Sequence, residues 1–241
     1  MMLKVSKLSI DYGNQNGILD INLEIPNGQV CAIIGHSGCG KSTLLNALAG
    51  LITFDEGQVH YANAEDKKAN LGLIQQSDAL FPWLSVWENI AIGLSGSKDK
   101  KLEVCVQILE SLGLENYVYA YPNQLSGGQK QRVNIARTLV VDPDVLLMDE
   151  PTASLDAFSK ESLQDLLLSL HQKKRRTTLF VTHNIEEALF LADVILIMDK
   201  GRIVLKYDNP LVHSHALRDN KLFYDEVKAL RDMMKIGKAN E

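Results

Sequence analysis

Short apolar runs alternate with segments of helical spacing along most of the chain. Val30-Cys31-Ala32-Ile33-Ile34, Val145-Leu146-Leu147-Met148 and Thr178-Leu179-Phe180-Val181-Thr182 are bounded by polar or glycine-bearing sequence. That is the pattern of strands buried on both faces of a parallel sheet. Apolar positions recur with helical spacing from Thr43 to a stop at Gly50, near 101–112 and 128–140, over 157–172 and around 219–235. Strands and helices in alternation predict an α/β fold. No stretch reaches the roughly 20 apolar residues of a membrane-crossing helix, and the N-terminus lacks the pattern of a secretion signal. No internal repeat or low-complexity segment interrupts the pattern.

The first apolar run leads into Gly35-His36-Ser37-Gly38-Cys39-Gly40-Lys41-Ser42-Thr43, which fits G-x-x-x-x-G-K-[ST]. A strand, a glycine loop and a helix in succession form a phosphate cradle. Glycines 35, 38 and 40 let backbone N–H groups turn inward, and the positive end of the following helix points at the same place. Lys41 suits β/γ-phosphate charge, and Ser42 suits a Mg²⁺ ion. Residues 35–43 are thus the candidate cradle of a nucleotide. Cys39 reads as a small loop residue, although a thiol near a helix N-terminus can be acidified.

The second run ends in adjacent carboxylates, Asp149 and Glu150, which project differently because side chains alternate along a strand. The third ends in His183. Between the first and second lies Leu125-Ser126-Gly127-Gly128-Gln129, running into a helical pattern, so Ser126 and its glycines sit at a helix N-terminus, a second anion-binding end.

Together these segments resemble the ATP-binding cassette ATPases, over about residues 3–206. The resemblance implies a P-loop NTPase fold of that type, with a RecA-like core, an antiparallel β subdomain and an inserted helical lobe. It implies one domain: a nucleotide-binding core at 1–76 and 143–206, a helical signature subdomain at 77–142, and a short helical tail at 207–241. Asp149 would hold Mg²⁺, and Glu150 would polarise the attacking water as general base. His183 takes the place of the switch histidine. Of two adjacent glutamines, the spacing to Ala79-Leu80-Phe81-Pro82 selects Gln76 to sense metal and water. Tyr12 would stack on adenine, and Asp156 would link the two sites of a dimer. Ser126, Gly127, Gly128 and Gln129 would bind the terminal phosphate held by a second copy, so ATP joins two head-to-tail chains.

Leu80-Phe81-Pro82-Trp83-Leu84-Ser85-Val86-Trp87-Glu88-Asn89-Ile90 and Thr182-His183-Asn184-Ile185-Glu186-Glu187-Ala188 resemble the nitrate/sulfonate/taurine/bicarbonate group of bacterial importers. The resemblance implies an ATPase subunit on the inner face of the cell membrane, energising an integral membrane permease served by an extracytoplasmic solute-binding protein. A non-transport cassette ATPase acting on ribosomes or DNA, and an exporter subunit, are the alternative classes. Periodicity places Trp87 in the core and divides Trp83 evenly between core and a permease-facing groove.

Composition changes this picture little. Lys and Arg number 25 against 30 Asp and Glu, a net charge of −5 that argues against a nucleic-acid surface. The basic run Lys173-Lys174-Arg175-Arg176 reads as a solvated loop. Three cysteines without metal-like spacing suit a reducing compartment.

Overall fold

The structure, a computed structural model, describes residues 3–13, 16–62, 69–76, 80–212 and 220–239. Ser77, Asp78 and Ala79 of the glutamine segment, and the start of the expected tail helix at 219, lie outside the described residues. In chain order the elements are β1 (Leu3–Gly13), β2 (Asn16–Ile25), β3 (Val30–Ile34), α1 (Lys41–Leu48), β4 (Glu56–Tyr61) and β5 (Leu71–Ile74). Three helices follow: α2 (Val86–Ala91), α3 (Lys98–Ser111) and α4 (Gly127–Leu139). The chain then alternates through β6 (Val145–Asp149), α5 (Ala157–Lys173), β7 (Thr177–Thr182), α6 (Ile185–Leu191), β8 (Val194–Asp199) and β9 (Arg202–Asp208), and reaches α7 (Lys221–Ala239).

Two sheets form. β2-β1-β4 is antiparallel. The larger runs β5-β6-β7-β3-β8-β9 and is parallel except for β9, which returns antiparallel to β8. The larger sheet explains the apolar runs. Alternate residues of β3 go to different cores: Val30, Ala32 and Ile34 to one, Cys31 and Ile33 to the other. β6 divides the same way, with Leu146 and Met148 opposed to Val145 and Leu147. In β7, Phe180 faces one core while Leu179 and Val181 face the other. Period-two alternation with both faces dry leaves no position for a polar side chain until the strand ends.

One core lies between this sheet and the antiparallel one, where α1 supplies Leu44, Leu45 and Leu48. The other joins the opposite sheet face to α2, α3 and α4. Asn89, fully buried, fixes the loop before α2: its Nδ2 donates to the carbonyls of Phe81, Leu84 and Ser85, and its Oδ1 accepts from Phe81 N–H at 2.8 Å. The two tryptophans part company. Trp87 is buried in the core, while Trp83 is 70% exposed and tilts against Phe81.

One boundary differs from the sequence expectation, and two segments make contacts it did not name. β9 continues to Asp208, two residues past the expected end of the core at 206, because its ladder with β8 pairs Val194 with Asp208. The basic run is largely solvated as expected, with Lys173, Lys174 and Arg175 exposed, but Lys174 and Arg176 both engage Asp142, which they hold below the usual carboxylate range. The tail is an anchored helix. Phe223, Val227 and Leu230 of α7, spaced for one helical face, are buried in the same core as α6.

Candidate functional site

Four of the motif segments leave the carboxyl ends of parallel strands that are neighbours in the sheet. In the order β5-β6-β7-β3 they deliver Gln76, then Asp149 and Glu150, then His183, then the phosphate loop. Ligands of open α/β sheets bind at such ends. Here the convergence is concrete: Gly35, His36, Ser37, Gln76, Glu150 and His183 line one open cleft of about 660 Å³. Ile185 of α6 and Arg231 and Met234 of α7 complete its wall. Gln75 is not among the lining residues, which agrees with the choice of Gln76.

The loop is shaped by steric necessity. A Cβ on Gly35 would lie 2.3 Å from the Met198 carbonyl oxygen. Gly40, the N-cap of α1, has φ +104°, a conformation that side chains rarely tolerate. Lys41 is buried, and its Nζ donates to the carbonyls of Gly35 at 2.9 Å and His36 at 3.0 Å. Cys39 is buried too, and desolvation raises its pKa against the pull of Lys41, so it stays a thiol. Ser42 and Thr43 open α1, where their N–H groups belong to its first turn.

Opposite the loop, Ser42 Oγ donates to Asp149 Oδ1 at 3.3 Å. Burial raises the pKa of Asp149, with Ser42 opposing and Glu150 reinforcing the shift. A partly desolvated carboxylate beside a hydroxyl fits a divalent cation, whose charge would offset that cost. Glu150 is held from both sides, by His183 Nδ1 at 3.1 Å from one carboxylate oxygen and by Gln76 Nε2 donating to the other at 3.4 Å. Its φ of +44° is unusual for a non-glycine residue, and its N–H is tied to Val181 O at 3.0 Å. Strain of this kind persists where the surroundings over-determine it.

Glu187 carries a role that no motif marks. It is 2% exposed, and accepts from Thr152 Oγ1 at 2.5 Å and Thr182 Oγ1 at 2.6 Å. Those threonines stand two residues after Glu150 and one before His183, so one buried carboxylate braces both strand ends. An acidic residue in the first turn of a short helix was the only available signal, and it is common at exposed helix starts.

The signature stands apart. Ser126 N-caps α4 in a reciprocal pair with Gln129, Ser126 Oγ accepting from Gln129 N–H at 3.3 Å and Gln129 Oε1 accepting from Ser126 N–H at 2.9 Å. Ser126 and Gly127 are exposed, and Gly128 sits against Ser159 of α5. None of the four lines the cleft. Asp156 caps α5, its carboxylate accepting from Ser159 N–H at 3.0 Å. Tyr12 ends β1, 61% exposed and outside the cleft lining.

A family model described as ABC transporter matches residues 18–153. The chain belongs to that family. The cassette is 42% identical over 205 residues to the taurine import ATP-binding protein TauB of Escherichia coli strain K12, a match spanning 83% of this chain and 80% of the relative. The TauB of Shigella boydii matches to the same degree. Among solved structures, the dimeric bacterial ABC transporter cassette MJ0796 superposes with a TM-score of 0.75 at 30% identity, covering 86% of this chain and 98% of its own. CbiO1 of Clostridium perfringens, part of the cbiONQ transporter complex, gives 0.78 at 27% identity over 96% and 98%. The fold is thus that of an ABC ATPase, and the cassette is an ATP-binding ATPase.

Two outcomes follow from the site as built. Glu187→Leu strands two buried hydroxyls and is expected to lower stability by about 2–4 kcal/mol in urea unfolding. Folded Asp149 binds its proton more tightly than the unfolded chain does, so its ionised form costs stability at neutral pH. That cost fades as pH falls through the raised value toward the ordinary 3.8. Asp149→Asn is therefore expected to raise the melting temperature of the nucleotide-free cassette at neutral pH while removing Mg²⁺-dependent turnover.

Proposed function

We propose that this cassette is the ATP-hydrolysing subunit of a bacterial importer, working as a head-to-tail pair on a separate membrane permease. The observation that carries the reading is the division of phosphate-binding groups. Gln76, Glu150 and His183 gather with the phosphate loop on one cleft, while the exposed helix end at Ser126–Gln129 lies outside it. A terminal phosphate in the cleft has one side left for a second copy's signature, which supports an isologous dimer with two ATP molecules between the chains. The dimeric MJ0796 cassette, also described in a state bound to ADP and Pi, supports the same arrangement.

Within each site, residues 35–43 cradle the phosphates, and Lys41 leaves the loop carbonyls to meet them. Ser42, Asp149 and Gln76 would hold Mg²⁺, which supplies charge neutralisation across the β- and γ-phosphates. Glu150 is the general base for the attacking water, and His183 and Gln76 orient its carboxylate. Tyr12 stacks on adenine, and Asp156 bridges to the partner. The core comprises 1–76 and 143–206, extended by β9 to Asp208. The inserted lobe is 77–142, and the tail, expected from 207, follows the end of β9 as 209–241.

Import is supported by the TauB relatives. Exposed Trp83 and Phe81 form an apolar edge suited to a permease helix. Among the described residues no helix is long and apolar enough to cross a membrane, so membrane work falls to a partner. The cassette would lie on the cytoplasmic face. A solute-binding protein would choose the cargo, for which the relatives suggest a small organic anion of the sulfonate type.

Glu150→Gln is expected to lower ATP turnover by about a hundredfold or more and to accumulate ATP-bound dimers in size-exclusion chromatography. Turnover at the parent rate would remove Glu150 as base. Recovery of a polytopic permease with the cassette from gently solubilised membranes supports import. Recovery only with ribosomes or nucleic acid would overturn it.

A further inference from the structure

α7 brings to the ATP cleft a charge that no motif marks. The helix is firmly seated: Phe223, Val227 and Leu230 are buried, and Met234 packs partly against the same core. Asn220 Oδ1 accepts from Leu222 N–H at 3.0 Å at its start, and Tyr207 of β9 donates its hydroxyl to Glu226. With that face fixed, Arg231 falls four residues after Val227 and three before Met234, and it lines the cleft beside Gln76, Glu150 and His183.

The charge balance there is one-sided. Lys41 is not among the lining residues, since its ammonium is turned onto the carbonyls of Gly35 and His36. Glu150 is engaged by His183 and Gln76. Among the described residues Arg231 is the one permanently charged cation in the wall, and it makes no ion pair with any of them. A guanidinium offers a planar fork of donors matched to phosphate oxygens, on a side chain that never deprotonates.

We propose that Arg231 binds the terminal phosphate of ATP held by its own chain, making α7 a nucleotide-sensing element that distinguishes ATP from ADP. The assignment rests on the ATPase reading above. Tyr12 would meet the adenine common to both nucleotides and the phosphate loop spans their shared phosphates as well as the last one, whereas Arg231 would meet only the group that hydrolysis removes. Loss of the terminal phosphate would free the guanidinium and with it the exposed edge of α7.

The test compares Mg²⁺ with a non-hydrolysable ATP analogue against Mg²⁺ with ADP. Both are titrated by calorimetry into the full chain at concentrations where it is monomeric. Arg231→Ala is expected to weaken the ATP analogue about tenfold, the worth of one charge-assisted contact, and to leave ADP unchanged. Arg231 is exposed, so the fold should survive, as a thermal melt would verify. Lys228→Ala removes the same charge from α7 at a position outside the cleft wall and is expected to change neither affinity. Equal losses for both nucleotides, no loss for either, or the same ATP-selective loss in Lys228→Ala would overturn the assignment. A parent chain that binds neither nucleotide would sink the ATPase reading together with it. A parent that binds both while Arg231→Ala discriminates as before would sink only the role of α7.

Discussion

Burial of both faces of the parallel sheet is the constraint on which the rest depends. Residues of β3, β6 and β7 alternate between two separate hydrophobic cores, and each fully buried Leu, Ile or Phe contributes about 1.5–3 kcal/mol. A slip of one residue in any strand would exchange the faces, and ladder hydrogen bonds would have to break with it. The strands are therefore fixed in register, and so are the points at which they end. Apart from Thr177 and Thr178 at the start of β7, polar side chains are excluded along their length and admitted at those ends. The chemistry is confined to one edge because water is confined there.

That edge is held more tightly than four strand ends alone would hold it. Glu187 is buried beneath it and ties Thr152 to Thr182, so the segment after Glu150 and the segment before His183 move as one. Gln131 of α4 donates to the carbonyl of Pro151 at 2.9 Å, linking the signature helix to the residue after Glu150. Glu150 itself occupies a left-handed backbone conformation. Held by two neighbours and a strained backbone, Glu150 would need little reorganisation in the proposed role of base, which favours electrostatic preorganisation over flexibility. The same connections join the helix that begins at Ser126 to the segment that carries Glu150.

The phosphate loop shows the opposite balance. Lys41 is satisfied by loop carbonyls, and Asp149 is left partly desolvated beside a single hydroxyl. Cation and anion thus wait on opposite sides of the place where phosphate and metal would sit. A nucleotide with its metal would offset both, and so its binding would stabilise the folded cassette.

Much of this was legible in the chain. Each site segment carries residues that only one kind of backbone tolerates at that spacing: glycines where a Cβ would strike Met198, carboxylates at the end of an apolar run, Ser-Gly-Gly ahead of helical spacing. Local stereochemistry and two-residue periodicity therefore determined the α/β fold, the phosphate loop and the carboxylate pair, while the choice of Gln76 over Gln75 came from the family resemblance. Tertiary structure alone decided what depends on contacts between distant segments. The exposure of Trp83, the pairing of Lys174 and Arg176 with Asp142, the brace at Glu187 and the arrival of Arg231 in the cleft leave no local trace. An acidic or basic residue on a helix reads as solvated until its neighbours in space are known. The physical reason is that charge and packing act through distance, which sequence spacing encodes only within a single helix or strand.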